Sequence, residues 1–179
     1  NVAIEATDIA ALIELTMAES VDLVVVGPED PLVLGLVDRL TEQNIAAFGP
    51  SAAAAKLEGS KSHCKEFLLR NDIPTGRSQS FADSASALAY LAKLVVPPVV
   101  KADGLAAGKG VIVAETHQDA EVAIREILDE GRFGEAGAEV LLEERLHGAE
   151  VSILAFCDGE RFHIMPATQD HKRLLVGDD

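Results

Sequence analysis

The residues best suited to do chemistry lie in a glycine-rich segment between two short β-branched runs, residues 98–102 and 111–114. One lysine, Lys101, stands near the end of the first run, and the segment holds a second lysine, Lys109, with three glycines: Gly104, Gly108 and Gly110. Small residues let backbone N–H groups approach an anion closely, and lysines add compact positive charge. The pattern therefore predicts two buried antiparallel strands with a polyphosphate clamp between them.

The spacing of this segment differs from both common phosphate-binding motifs. A P-loop has four residues between its first glycine and Gly-Lys, then Ser or Thr. Here three residues separate Gly104 from Gly108, and Gly110 follows the lysine. The dinucleotide fingerprint also fails, because Val113 stands where its third glycine would fall. A mobile hairpin with exposed lysines is the alternative, but a lysine ending a buried strand needs an anion nearby, which favours the clamp.

Composition limits the classes of partner. The chain has 179 residues, 48% of them hydrophobic, and a formal net charge of −15. Such a charge argues against nucleic acid or an anionic membrane as partner, and a local basic site suits a small anionic ligand better. The two cysteines, Cys64 and Cys157, have no metal-binding spacing, so we expect reduced, buried thiols in the cytoplasm. No apolar run is long enough to span a membrane.

The elements that would position these residues fall into two groups. Residues 8–20, 22–26, 31–43 and 46–48 read as helix, strand, helix and strand, which predicts a parallel α/β layer. Residues 77–81, 83–93, 116–130 and the two β-branched runs predict an antiparallel sheet flanked by two helices. Two helices at 51–57 and 60–71 lie between the groups, with a boundary near Pro74. Residues 131–137 read as a surface loop.

The last part of the chain carries a weaker nucleoside pattern. The strand at 140–144 ends in Glu143 and Glu144, and Leu146 and Glu150 follow. Backbone groups at a strand end can pair with a purine edge, and a nearby carboxylate can hold ribose hydroxyls. A hairpin joins strands at 150–157 and 161–165 through Asp158-Gly159. Acidic hairpin ends are common on so acidic a protein, so this pattern alone is weak evidence for a nucleoside site. The evidence becomes stronger because the glycine-rich segment with its two lysines precedes it.

Residues 99–113 resemble the signature of the phosphoribosylamine–glycine ligases (glycinamide ribonucleotide synthetases), which are ATP-grasp enzymes of purine biosynthesis. The resemblance continues at residues 26–29, 48–51, 57–61, 134–137, 143–144 and 169–173. It implies an α/β fold with an α+β lid, as an ATP-grasp fragment preceded by the end of a Rossmann-like parallel N-terminal domain. The implied parts are a substrate domain (1–57), a linking helix (58–75), a lid (76–138) and the start of the core (139–179).

The same resemblance implies a two-step ligation. ATP phosphorylates the carboxylate of glycine, and the amine of 5-phosphoribosylamine attacks the glycyl phosphate to give glycinamide ribonucleotide, ADP and phosphate. Matching positions imply ATP contacts at Lys101, Gly104, Gly108, Lys109, Gly110, Glu143, Glu144, Leu146 and Glu150. Phosphoribosylamine would meet Gly27, Pro28 and Glu29, and catalysis would use Lys101, Lys109, Asp170, His171, Lys172 and Arg173. Ser60, Lys61 and Lys65 would be supporting structure, with Lys61 as a weaker ATP candidate.

The chain looks like an internal piece of a longer protein, so we expect the piece alone to be inactive. The resemblance implies Mg²⁺ or Mn²⁺ with its ligands outside this chain, and a cytoplasmic parent that is a monomer or homodimer. Two alternatives stay open: another ATP-grasp carboxylate–amine ligase or carboxylase, and a non-catalytic nucleotide-binding module. The run from Gln169 to Arg173 favours the glycine ligase over the other ATP-grasp enzymes.

Overall fold

The structure is a computed structural model that describes residues 1–106 and 108–169, and it divides into two compact units at residues 145 and 146. The first unit begins with α1 (Ile9–Ala18), β1 (Leu23–Val25), α2 (Glu29–Val33), α3 (Leu36–Glu42), β2 (Ala46–Phe48), α4 (Ala52–Gly59) and α5 (Lys61–Arg70). It continues with β3 (Ser78–Phe81), α6 (Ser84–Leu91), β4 (Val99–Ala102), β5 (Val111–Val113), α7 (His117–Leu128), a short 3₁₀ helix (Gly134–Gly137) and β6 (Val140–Glu143). The second unit contains β7 (Ala155–Cys157) and β8 (Phe162–Ile164).

The N-terminal part is the predicted parallel α/β layer. β1 and β2 pair in parallel, with Leu23 opposite Ala46 and Val25 opposite Phe48. A small core of Val26, Leu36, Val37 and Leu40 lies against them. The single helix predicted over 31–43 is wrong, because the chain forms α2 and α3 instead. Gly35 separates them in the left-handed conformation, with φ of 85°, which a glycine adopts at little cost.

The larger part is an antiparallel sheet in the order β3-β6-β4-β5. Helices α6 and α7 pack against one face and enclose a core that includes Leu91, Val100, Ile124, Ile127 and Leu142. This confirms the predicted sheet with two helices. Thr116 and Asp119 form a capping box at the start of α7. The strand β6 lies between β3 and β4 in this sheet, although the resemblance assigned its residues to the start of the ATP-grasp core. The finer division into domains stays a prediction.

Two local expectations in this part are corrected. β5 is not a buried strand, because it lies at the sheet edge and its Val111 and Val113 are 44% and 51% exposed. The surface loop predicted at 131–137 contains the 3₁₀ helix, and its Gly137 is buried against Ile127. Both differences arise from strand order and packing, which local sequence does not specify.

Among its described residues, the second unit contains one β-hairpin and an exposed cysteine, Cys157, which the sequence predicted to be buried. β7 and β8 form the predicted antiparallel hairpin, with Ala155 opposite Ile164 and Cys157 opposite Phe162. The strand predicted over 150–157 is shorter than expected, and an isolated bridge joins Ser152 to Thr168. In the described part of the chain, no helix is both long and apolar enough to cross a membrane.

Candidate functional site

The face of the antiparallel sheet opposite α6 and α7 carries Lys101 and Glu143 side by side. Lys101 lies on β4 and Glu143 on the neighbouring β6, where Glu143 is directly opposite Val99. Because side chains alternate along a strand, Val99, Lys101 and Glu143 point to the same face, away from α6 and α7. Lys101 forms an ion pair with Glu143 Oε2, and their side chains are 25% and 11% exposed. Glu143 therefore supplies, from within the chain, the anion that a lysine at the position of Lys101 requires.

Lys65 reaches the same carboxylate from α5. It forms an ion pair with Glu143 Oε1 and donates hydrogen bonds to Thr75 Oγ1 and, at 3.2 Å, to the carbonyl of Gly76. A Cβ at Gly76 would lie 3.2 Å from Glu143 Oε1, so a glycine at this position leaves room for the carboxylate. The sequence predicted only a supporting role for Lys65, since Lys65 and Glu143 are 78 residues apart and no local motif connects them.

The two lysines determine the ionisation of Glu143. Burial is the largest single influence and acts to raise the pKa of this carboxyl. Hydrogen bonds from Lys101 and Lys65, together with their charges, act in the opposite direction and outweigh it, so the pKa of Glu143 lies below its ordinary value. Glu143 is therefore a carboxylate at neutral pH, held between two ammonium groups.

The glycine loop, residues 103–110, has a firmly held base. Lys61 Nζ donates to the carbonyls of Gly104 at 3.0 Å and Asp103 at 3.4 Å. The backbone N–H of Ser62 donates to Asp103 Oδ1 at 2.6 Å. On the other side, the N–H of Gly104 donates to the carbonyl of Ala136 at 3.0 Å. The start of the loop is thus fastened between α5 and the 3₁₀ helix.

Lys61 holds the base of the glycine loop through its hydrogen bonds. Burial is the largest influence on the pKa of Lys61 and lowers it, and the charge of Lys101 acts in the same direction. The charges of Asp103 and Glu58 act to raise this pKa but do not outweigh burial. Its ammonium is directed to the loop carbonyls of Asp103 and Gly104; the weaker assignment of Lys61 as an ATP contact stays a prediction. Lys109, in contrast, is exposed near the loop tip, and Gly108 has φ of 72°.

A cleft of about 430 Å³ connects the glycine loop to the N-terminal layer. Glu29 and Lys61 line it together with Gly108 and Gly110. Glu29 is the first residue of α2, and Gly27 and Pro28 precede it as an exposed turn after β1. The structure therefore brings one predicted substrate residue to the same cleft as two predicted ATP-binding glycines.

The other predicted site residues are Glu144 in the first unit, and Leu146, Glu150 and residues 170–173 beyond it. Glu144 accepts hydrogen bonds from Arg77 Nε at 3.2 Å and Nη2 at 3.3 Å, so its side chain is engaged elsewhere. Leu146 and Glu150 are exposed residues of the second unit. The four residues Asp170, His171, Lys172 and Arg173 lie outside the described residues. Their roles stay predictions.

Comparison with known families decides where the chain belongs. A family model described as phosphoribosylglycinamide synthetase, ATP-grasp (A) domain, matches residues 59–179. A second model, phosphoribosylglycinamide synthetase, N domain, matches residues 1–58. The chain belongs to the phosphoribosylglycinamide synthetase family. The resemblance carried by residues 99–113 is confirmed, and the synthetase family's two models account for both parts of the first unit.

Individual relatives agree with the synthetase family. The phosphoribosylamine–glycine ligase of Haemophilus influenzae is 51% identical over 178 residues, covering 99% of this chain and 42% of that protein. The crystal structure of phosphoribosylamine–glycine ligase from Thermotoga maritima matches with a TM-score of 0.78 and 29% identity, over 93% of this chain and 41% of that one. Biotin carboxylase from Campylobacter jejuni has a TM-score of 0.73 at 21% identity, over 88% of this chain and 36% of that one, a likeness that shows the fold alone.

The chain spans about two fifths of the length of the curated synthetase relatives it matches. Within residues 1–106 and 108–169, no group of three or more His, Cys, Asp or Glu side chains is arranged to hold a metal ion. The candidate site in the described residues consists of lysines, a carboxylate and backbone groups beside an apolar strand face.

Proposed function

We propose that the complete polypeptide containing this chain is an ATP-dependent ligase that joins glycine to 5-phosphoribosylamine. The products would be glycinamide ribonucleotide, ADP and phosphate, which places the enzyme in purine biosynthesis. The observation that carries the proposal is the pairing of Lys101 and Glu143 on the strand face opposite α6 and α7, beside the glycine loop, in a chain of the synthetase family.

The strand face is suited to a nucleotide. Val99 lies next to Lys101 on the same face, and the exposed Val111 and Val113 of β5 extend the apolar surface. We assign the adenine to this surface, because a flat apolar base gains from contact with aliphatic side chains. The phosphates would then meet Lys101, Lys109 and the backbone N–H groups of the loop. Glu143 and Leu146 would meet the base through backbone groups, with Glu144 adjacent, and Glu150 would hold the ribose.

The chemistry assigned to these residues is charge stabilisation and positioning. Phosphoryl transfer to the glycine carboxylate needs positive groups aimed at the moving phosphoryl oxygens, which Lys101 and Lys109 would supply. Closure of the glycine loop would keep water from the glycyl phosphate before the amine attacks. Gly27, Pro28 and Glu29 would hold phosphoribosylamine, and the residues 170–173 would lie near the acceptor substrates.

Further properties of the complete protein follow from the same proposal. A divalent ion, Mg²⁺ or Mn²⁺, would neutralise charge on the triphosphate, with its protein ligands outside this chain. The substrates are small molecules, and neither nucleic acid nor a membrane is a partner of this acidic protein. We assign the protein to the cytoplasm, as a monomer or a homodimer.

Calorimetric titration with MgATP tests the nucleotide site. We expect Lys101→Ala and Lys109→Ala each to weaken binding at least tenfold, about 1.4 kcal/mol. Lys93→Ala is the matched control, because Lys93 is an exposed lysine just beyond the end of α6, the helix on the opposite face of the sheet. Equal binding by all four proteins would contradict the clamp. The titration uses the complete polypeptide, since the second unit contributes predicted contacts.

Product formation distinguishes the ligase from its alternatives. The complete polypeptide should release ADP only when both glycine and 5-phosphoribosylamine are present. ADP release with a different acid or with bicarbonate would favour another ATP-grasp ligase or a carboxylase. MgATP binding without any acceptor-dependent turnover would favour a non-catalytic nucleotide-binding module.

A further inference from the structure

Lys65 lies beside the candidate nucleotide site without a task in the proposed reaction. Its side chain is only 12% exposed. Its ammonium contacts three acceptors: Thr75 Oγ1, the Gly76 carbonyl and Glu143 Oε1. A lysine ammonium has three N–H donors, so these acceptors account for all of them. In this arrangement Lys65 has no donor left for a phosphate, and any effect on a nucleotide must pass through a neighbour.

Glu143 is that neighbour, because its two oxygens connect two lysines. Oε1 faces Lys65 and Oε2 faces Lys101. One carboxylate between two ammonium groups leaves the cluster with a net positive charge. Lys101 is the more exposed of the two lysines, 25% against 12%, and it lies directly opposite the exposed Val111 of the edge strand β5. The spare positive charge is therefore presented on the side where a ligand can approach.

We propose that Lys65 is a positioning residue that keeps Lys101 available to the nucleotide phosphates. Lys65 neutralises Glu143 from the α5 side, so Lys101 can turn its remaining donors to a phosphate without leaving a buried carboxylate uncompensated. Without Lys65, Lys101 becomes the sole cation paired with Glu143, and the cluster is neutral. The inference rests on the proposed function, because it requires phosphate binding by Lys101.

A purely structural role for Lys65 makes a different prediction. Lys65 also joins α5 to the sheet, where Ser62 and Ser80 form a further hydrogen bond of 2.7 Å. If fastening α5 were its whole task, loss of Lys65 would lower stability and leave nucleotide affinity intact in the folded protein. MgATP affinity would then be unaffected by the loss of Lys65 whether or not residue 143 carries a charge.

A double-mutant cycle on the complete polypeptide separates these roles, with MgATP affinity measured by calorimetry. We expect Lys65→Met to weaken binding about tenfold, or 1.4 kcal/mol. In the Glu143→Gln background the same change should alter binding by less than about twofold, because Lys65 acts through the carboxylate. Arg70→Met is the control, since Arg70 is an exposed cation at the end of the same helix; it should bind like the unaltered protein.

Each outcome decides the question. Normal MgATP binding by folded Lys65→Met, or a full tenfold loss in the Glu143→Gln background, overturns the inference. If Lys65→Met fails to fold, Thr75→Val is the alternative variant, because it keeps every charge and removes one acceptor of Lys65. We expect Thr75→Val to weaken MgATP binding about threefold. Unchanged binding by this variant would contradict the inference. If the unaltered protein does not bind MgATP, the proposed function fails together with the inference.

Discussion

At the scale of single residues, the candidate site depends on opposite charges that share partly buried positions. Glu143 compensates Lys65 and Lys101, and the two lysines keep the carboxylate ionised against the effect of burial. Removing one member of such a group is costly, because the remaining charges lose their partner while they stay shielded from water. Lys101 is therefore held in place before any nucleotide arrives.

The lowered pKa of Glu143 predicts how stability responds to acid. Because the carboxyl binds its proton more weakly in the folded protein, the unfolded chain takes up more protons as the pH falls. The stabilisation by Glu143 is fully present above about pH 4.3 and is lost as the pH falls through the lower folded pKa. Glu143→Gln should lower the free energy of unfolding by about 2 kcal/mol at pH 6.

Urea unfolding from pH 6 to pH 3 checks this prediction. The difference between the unaltered chain and Glu143→Gln should shrink towards pH 3. Glu66→Gln is the control, because Glu66 is an exposed carboxylate on α5; its curve should follow that of the unaltered chain. A difference between Glu143→Gln and the unaltered chain that stays constant over this range would contradict the assignment of the charge.

At the scale of elements, the glycine loop has a fixed base and an exposed tip. Its base is held by α5 through Lys61 and Ser62 and by the 3₁₀ helix through Ala136. Lys109 stands exposed towards the tip. A loop that closes over a ligand needs such an arrangement, since a fixed base determines where the tip can move.

Lys61→Met should loosen the base of this loop. The substitution removes the ammonium that binds the carbonyls of Asp103 and Gly104, and a hydrogen bond from a charged donor is worth about 1.5–3 kcal/mol. Amide hydrogen exchange in the loop should become at least about tenfold faster. Lys56→Met removes an exposed lysine from α4 and should leave the exchange unchanged. Equal exchange in both variants would rule out Lys61 as the fastening.

Gly104→Ala should displace the loop from the 3₁₀ helix. A Cβ at this position would lie 2.8 Å from Ala136 Cα and 2.9 Å from its Cβ, which are prohibitive contacts. Overpacking of this kind costs about 1–3 kcal/mol, measurable by urea unfolding. Gly27→Ala is the control, because a Cβ there meets nothing within 4 Å. A Gly104→Ala chain as stable as Gly27→Ala would show that the close approach is not required.

At the scale of the whole molecule, the buried cores lie in the first unit. One core joins the sheet to α6 and α7, and the other supports β1 and β2. Within residues 146–169 no residue is buried, and large apolar side chains such as Phe156 and Phe162 are exposed. Most of the hydrophobic stabilisation of this chain therefore comes from residues 1–145.

Truncation tests this distribution. A chain ending at Arg145 should retain the cooperative thermal transition of residues 1–179, with Tm changed by less than about 2 °C. Circular dichroism and scanning calorimetry on both chains provide the measurement. A Tm loss of about 10 °C, or loss of the cooperative transition, would show that the second unit contributes substantially to the folded state.

Individual residues of the candidate site were predictable from local segments of the sequence, but the contacts between distant segments were not. Lys101, Lys109 and the glycines form one continuous segment, so residue types and spacing were sufficient to nominate them. The connection of Lys65 to Glu143 was not predictable, because it depends on α5 packing across a sheet whose order is β3-β6-β4-β5. The exposure of β5 depended on the same strand order.

By itself, the sequence determined the parallel and antiparallel layers, the glycine loop and the family, since each is encoded by local periodicity, by turn residues or by a continuous motif. Only the tertiary structure decided which charges meet. It showed that the anion beside Lys101 is Glu143, that Lys61 fastens the loop, and that Glu29 lines the same cleft as Gly108. Such contacts join residues far apart in the chain, and their energies depend on burial and distance, which appear only when the strands and helices have packed.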